Sequence, residues 1–121
     1  MLQISMPRGD MRAERFTLKL HDSPYLDLDE IYFTVKKTVN NKTPLFQKRL
    51  SNGTIEVDGD SFRFIILPED TDNLEYGHYV FDIELVKEGS IKQTFVGSLD
   101  LTSEVTFAEN EAEEDTDNEN G

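Results

Sequence analysis

The side chains able to do chemistry are few, and their placement limits what chemistry is open. Two histidines, His21 and His78, stand among 121 residues. His21-Asp22-Ser23 sets a base, a carboxylate and a hydroxyl side by side. A nucleophilic triad needs the base gripped by the carboxylate on one side and aimed at the nucleophile on the other. Three consecutive residues closed by Pro24 read instead as a turn, where side chains diverge. His21 and His78 are therefore expected to be exposed, with no triad. Cysteine is absent, which excludes a thiol nucleophile, a thiolate zinc site, an iron–sulfur cluster and a disulfide scaffold.

Carboxylates are abundant, with 25 acids against 12 Lys and Arg. Asp27-Leu28-Asp29-Glu30, Asp58-Gly59-Asp60 and Asp70-Thr71-Asp72-Asn73 each hold the hard oxygens calcium prefers. None follows the twelve-residue EF-hand loop with its central glycine and terminal glutamate. Asp58-Gly59-Asp60 has the simpler role of a hairpin turn. Paired carboxylates could also hydrolyse a glycosidic bond, but a chain with no tryptophan offers a poor sugar platform. The glycines are scattered, so no phosphate-cradling loop is expected. The reading is of a protein that is not an enzyme, with no catalytic, cofactor-binding or metal residue to assign.

Charge narrows the partners. Residues 108–121 (AENEAEEDTDNENG) contain seven acids and no base, and without them the formal charge moves from −13 to −6. A like-charge block of this kind is expected to be a disordered acidic tail, which either solubilises the chain or docks on a basic patch of a partner. The acidic balance argues against nucleic acid, which needs clustered Lys and Arg. Apolar runs of four residues or fewer argue against a membrane span. The first fifteen residues, MLQISMPRGDMRAER, lack the apolar stretch of a secretory signal.

The elements that would position these groups are short strands. Residues 1–13 read as an irregular N-terminal arm broken by Pro7, Gly9 and Asp10, with Met1 to Ser5 alternating only weakly. Arg8-Gly9-Asp10 spells an integrin-binding tripeptide, and its simpler role is a charged entry into the first strand. Strands are expected over Glu14–Leu20, Glu30–Lys36, Leu45–Leu50, Thr54–Val57, Ser61–Leu67, His78–Lys87 and Ile91–Leu101, from two-residue alternation and β-branched or aromatic content. Tyr25–Leu28 would tuck apolar side chains under the sheet edge. Ser51-Asn52-Gly53 and Glu88-Gly89-Ser90 are expected turns. Pro68 to Leu74 would form one helical turn, with proline at its start and acids near the positive end of its dipole. Glu104–Phe107 would be a last extended piece. About seven closely spaced strands with one helical turn and no 3.6-residue periodicity give an all-β fold, an antiparallel immunoglobulin-like β-sandwich, with residues 14–107 as the domain.

A local pattern favours the sandwich over a barrel. Pro68-Glu69-Asp70-Thr71, then Leu74, Gly77 and Tyr79, resembles the turn entering the sixth strand of an immunoglobulin domain, where a tyrosine hydroxyl bonds back to the backbone. Tyr79 is the expected corner residue. Phe81 falls where antibody domains carry a disulfide cysteine, and its ring would fill that space.

Arg8-Gly9-Asp10, Phe16-Thr17-Leu18, Leu26-Asp27-Leu28, Ile31 to Lys37, Leu45-Phe46-Gln47-Lys48, Phe64 to Thr71, Leu74, Gly77, Tyr79, Phe81 to Val86, Gly97 and Glu104-Val105-Thr106 together resemble the small immunoglobulin-like structural proteins of tailed bacteriophages and prophages. The chain is also similar to the N-terminal domain of phage baseplate upper proteins. The resemblance spans residues 8–107. It implies a non-enzymatic virion or tail- and baseplate-associated module, assembled in the host bacterial cytoplasm, which binds other phage structural proteins and can form a homo-oligomer. Open sheet edges would supply the contacts, first of all the arm 1–13 and the first strand. The alternative is a carbohydrate- or host-surface-binding sandwich using Tyr25, Tyr32 and Tyr76.

Overall fold

The computed structural model describes residues 2–103. The expected extended piece at Glu104–Phe107 and the acidic tail lie outside them. The chain folds as an all-β immunoglobulin-like sandwich. Its elements are β1 (Leu2–Pro7), β2 (Arg12–Phe16), β3 (Lys19–Leu20), β4 (Ser23–Pro24), β5 (Glu30–Lys36), β6 (Phe46–Arg49), β7 (Ile55–Asp58), β8 (Ser61–Ile66), α1 (Pro68–Thr71), β9 (Gly77–Lys87) and β10 (Ser90–Thr102). One sheet has five strands in the order β1-β10-β9-β5-β6, the other three in the order β2-β8-β7, and β3 and β4 form a separate small hairpin.

Strand alternation decides the faces. On β9, Tyr79, Phe81, Ile83 and Leu85 are buried, while Val80, Asp82, Glu84 and Val86 are half-exposed. Phe33 links the two layers. Its ring centroid lies 5.0 Å from that of Phe81 in its own sheet and 4.3 Å from that of Phe64 on β8. The space between the sheets is therefore filled by aromatic rings, as expected for Phe81.

The N-terminal segment corrects two expectations. Residues 2–7 are not an irregular arm; they form β1, which pairs with Gly97–Thr102 of β10. This pairing is parallel, against the expectation of antiparallel pairing throughout. Ile4 and Met6 are buried in the core, and that burial anchors a strand whose sequence alternation is weak. Gly97 permits the close approach: a Cβ there would stand 2.3 Å from the Phe81 ring and 2.7 Å from the Leu2 carbonyl oxygen.

The expected strand Glu14–Leu20 is also divided. β2 pairs with β8 as far as Phe16↔Phe62. After Thr17 and Leu18 the chain turns away and forms β3 against β4. Alternation of Phe16, Leu18 and Leu20 continues across this break, so periodicity alone could not locate it. Of the expected helical turn, Pro68–Thr71 is helical; the chain leaves the helix before Leu74.

Candidate functional site

The two ends of the sandwich differ. One end gathers α1, the β1–β2 turn and the start of β9. Here the Tyr79 hydroxyl donates to the Glu75 carbonyl at 2.6 Å, the expected corner bond. Arg8-Gly9-Asp10 docks on the same corner. Arg8 donates to the Leu74 carbonyl at 3.2 Å and stacks over Tyr76, and the Gly9 N–H donates to the Thr71 hydroxyl at 2.8 Å. Asp70 accepts from the Leu67 N–H at 2.8 Å and from the Lys48 ammonium at 2.5 Å, with Lys48 only 5% exposed. Nothing in the spacing of Lys48 and Asp70 announces this buried pair. The Arg8 tripeptide thus has a structural task at the corner.

The other end holds an open strand edge and a cleft. β1 covers β10 only from Gly97 onward, so among the described residues the backbone edge of β10 from Ser90 to Val96 has no strand partner on that side. Between this open edge and residues 17–28 lies a cleft of about 540 Å³, within the roughly 300–1,000 Å³ common for ligand pockets. Leu18, Leu20, Leu28, Leu85 and Phe95 give it an apolar lining, with Tyr25 on one wall.

Two tight turns frame this end. Lys19-Leu20-His21-Asp22-Ser23-Pro24 is a two-residue hairpin with φ of 52° at His21 and 65° at Asp22; the β9–β10 hairpin turns through Glu88 and Gly89 at 54° and 78°. Positive φ at both central residues marks the type I′ turn that suits strand twist. His21, Asp22 and Glu88 are the non-glycine residues with positive φ among the described residues. Backbone held in this region stores strain that clusters at binding sites. Asp27 and Asp29 tie the frame together. Lys87 donates to Asp27 at 2.8 Å, and the Glu88 N–H donates to Asp29 at 2.6 Å. The Asp27 hydrogen bond, with the charges of Asp27 and Asp29 behind it, holds the Lys87 ammonium above its ordinary value.

Lys19 and Lys92 also line the cleft, and neither makes an ion pair among the described residues. The pairing register slips between Ile91 and Gln93, so Lys92 is the extra residue of a β-bulge. Bulges re-aim side chains at sheet edges. Sequence reasoning did not single out Lys19, Lys92 or Phe95. The available signal was the surplus residue after the Glu88-Gly89 turn, visible only once the register is known.

The other sequence candidates are dispersed. His21 and Asp22 are the central turn residues of a hairpin, while His78 sits across the sheet, hydrogen-bonded to Asp100 at 2.5 Å. That bond, helped by Gln3, holds the Asp100 carboxyl below its ordinary value. The acid clusters have protein partners. Asp27 and Asp29 bind Lys87, Asp58 binds Arg15, and Asp70 binds Lys48. No group of three or more His, Asp or Glu side chains gathers as a metal site among the described residues. Of the three tyrosines proposed for sugar binding, Tyr25 lines the cleft, Tyr32 lies beside Arg49 on the sheet face and Tyr76 lies under Arg8 at the corner. They form no common platform.

Sheet edges, the expected contact points, are partly guarded. Arg12 donates to the Ser5 carbonyl of β1 at 2.8 Å. On β6 the Thr54 hydroxyl accepts from the Arg49 N–H at 2.7 Å and donates back to the Arg49 carbonyl at 3.2 Å. Side chains that occupy edge groups discourage strand addition.

No helix among the described residues is long and apolar enough to cross a membrane. No family model and no curated protein matches the chain. Its structure is similar to that of the NK cell receptor Nkp44, described as a triggering partner in natural cytotoxicity, at 17% sequence identity and a TM-score of 0.47, over 83% of this chain and 96% of that one.

Proposed function

We propose that the chain is a non-catalytic protein-binding building block, a virion or tail- and baseplate-associated module that binds other phage structural proteins. The observation that carries the binding reading is the cleft, with an apolar floor and, among the described residues, two lysines that have no ion pair and an unpaired strand edge beside it. Apolar floor and main-chain edge together suit a peptide segment, which can place a side chain in the pocket and its backbone on the strand. The resemblance of residues 8–107 to phage immunoglobulin-like proteins supports the placement in a virion.

Counting the chain by quantitative mass spectrometry in purified phage particles from the source tests that placement. A fixed number of copies per particle, matching a ring or fibre, is the expected result. A chain abundant in the lysate and missing from intact particles overturns the virion reading.

A further inference from the structure

We propose that the cleft between residues 17–28 and the open edge of β10 receives the C-terminal segment of a second copy of this chain, with Phe107 in the apolar floor and the following acids on Lys19 and Lys92. This deepens the building-block reading and rests on it.

Three observations converge. The first is charge. In a chain of net charge −13, Lys19 and Lys92 stand at one cleft without an ion pair among the described residues, while the matching excess of acid is concentrated in residues 108–121. Complementary charge of this kind selects a partner and speeds the encounter.

The second is the order of side chains. Ser103-Glu104-Val105-Thr106-Phe107 places alternating apolar residues immediately before the acids. An apolar anchor followed by negative charge is what a leucine- and phenylalanine-lined pocket with a lysine rim accepts. Strand-like alternation also suits addition to the edge of β10 from Ser90 to Val96, which is unpaired among the described residues.

The third is reach, and it separates the two possible donors. The described chain leaves β10 at Thr102, at the corner end, where the Arg8 N–H donates to the Thr102 carbonyl. Phe95, the cleft residue nearest along the strand, is seven residues back, about 23 Å away. Five residues beyond Thr102 extend at most about 18 Å. Phe107 therefore falls short of its own cleft and reaches one offered by a neighbour. The contact is head-to-tail, and such contacts close into rings or run on as filaments.

Sedimentation of the full-length chain over a range of concentration and salt tests this. The wild-type chain is expected to self-associate, and to do so less as salt screens the lysines. Two variants separate the halves of the contact: Lys19→Glu with Lys92→Glu spoils the cleft and keeps the tail, while Phe107→Ser spoils the tail and keeps the cleft. Each alone is expected to associate at least about tenfold more weakly than wild type, and an equal mixture to recover a one-to-one dimer. A wild-type chain that stays monomeric at every concentration overturns the proposal. So does association by both variants equal to wild type, which would put the interface elsewhere, or cross-links from the tail to Lys19 within one chain. A monomeric chain still counted at fixed copy number in particles would sink this inference and leave the building-block reading standing.

Discussion

The two ends of one sandwich solve opposite problems. At the corner end, polar groups are consumed internally: Tyr79 on Glu75, Arg8 on Leu74, Gly9 on Thr71, Lys48 on Asp70. Thr71 is fully buried there. At the cleft end, apolar side chains face a gap, Leu20 and Ile91 are more than half exposed, and strained turns hold the rim. β1 marks the boundary, since it stops covering β10 at Gly97. The proposed binding surface thus sits where the described residues leave groups unused, and stability where they use them.

The largest expected effect falls on the corner. Asp70→Ala strands the Lys48 ammonium in a nearly closed site and removes the acceptor of the Leu67 N–H. It should cost about 3 kcal/mol in denaturant unfolding, because a buried charge loses its counter-ion. Replacing both partners, Lys48→Met with Asp70→Leu, should recover most of that loss, since an apolar pair needs no desolvation. If the double variant is as unstable as Asp70→Ala, the cap on Leu67 rather than the ion pair holds the corner.

Gly97→Ala probes the boundary itself. The added Cβ would collide with the Phe81 ring and with the Leu2 carbonyl oxygen, which is backbone and cannot swing aside. Overpacking of this kind should cost about 1–3 kcal/mol. Amide exchange should speed up along β1 and leave the β3–β4 hairpin unchanged. Equal loosening at both ends would mean that the two regions are one cooperative unit.

What could be read from the sequence divides along the same line. The corner was legible, because its chemistry is local: Pro68, Gly77 and Tyr79 lie within one turn and the following strand, and the tyrosine bond spans four residues. The antiparallel strands were legible from alternation and turn residues. β1 was not, because its parallel partner lies 95 residues away along the chain (Leu2↔Gly97) and parallel pairing leaves no turn between the strands. The cleft was hidden for the same reason. Its rim lysines come from β3 and from a bulge in β10, and a bulge is a property of register, which composition does not carry. The break between Phe16 and Lys19 was masked by hydrophobic spacing that fits a continuous strand and a broken one equally well.

Tyr79→Phe asks how much of the corner rests on a single bond. The ring stays buried and keeps its packing, including the Lys37 ammonium 4.6 Å from its centroid. Only the hydroxyl bond to Glu75 is lost. Because Glu75 is exposed, water can replace the donor, and the cost should be about 1 kcal/mol in the same unfolding measurement. A loss as large as that of Asp70→Ala would show that the hydroxyl bond also orders α1.

The smallest effect has the opposite sign. His21 and Asp22 occupy the left-handed region, where an L-residue is strained by roughly 1 kcal/mol or more. Histidine and aspartate bear this better than most residues, so the relief available is modest. His21→Asn with Asp22→Gly supplies the pair that a type I′ turn prefers, and should raise stability by about 0.5–1 kcal/mol, the relief of left-handed strain less the extra chain entropy that glycine brings, read as a higher Tm. The substitution leaves Lys19 and Leu20 in place, so self-association of the full chain should persist. If stability rises while association falls, the strained turn is holding the lysine rim in its binding geometry. If stability falls, the two side chains make the rim rigid through contacts of their own, and the contrast between a settled corner and a strained cleft would need to be redrawn at β3.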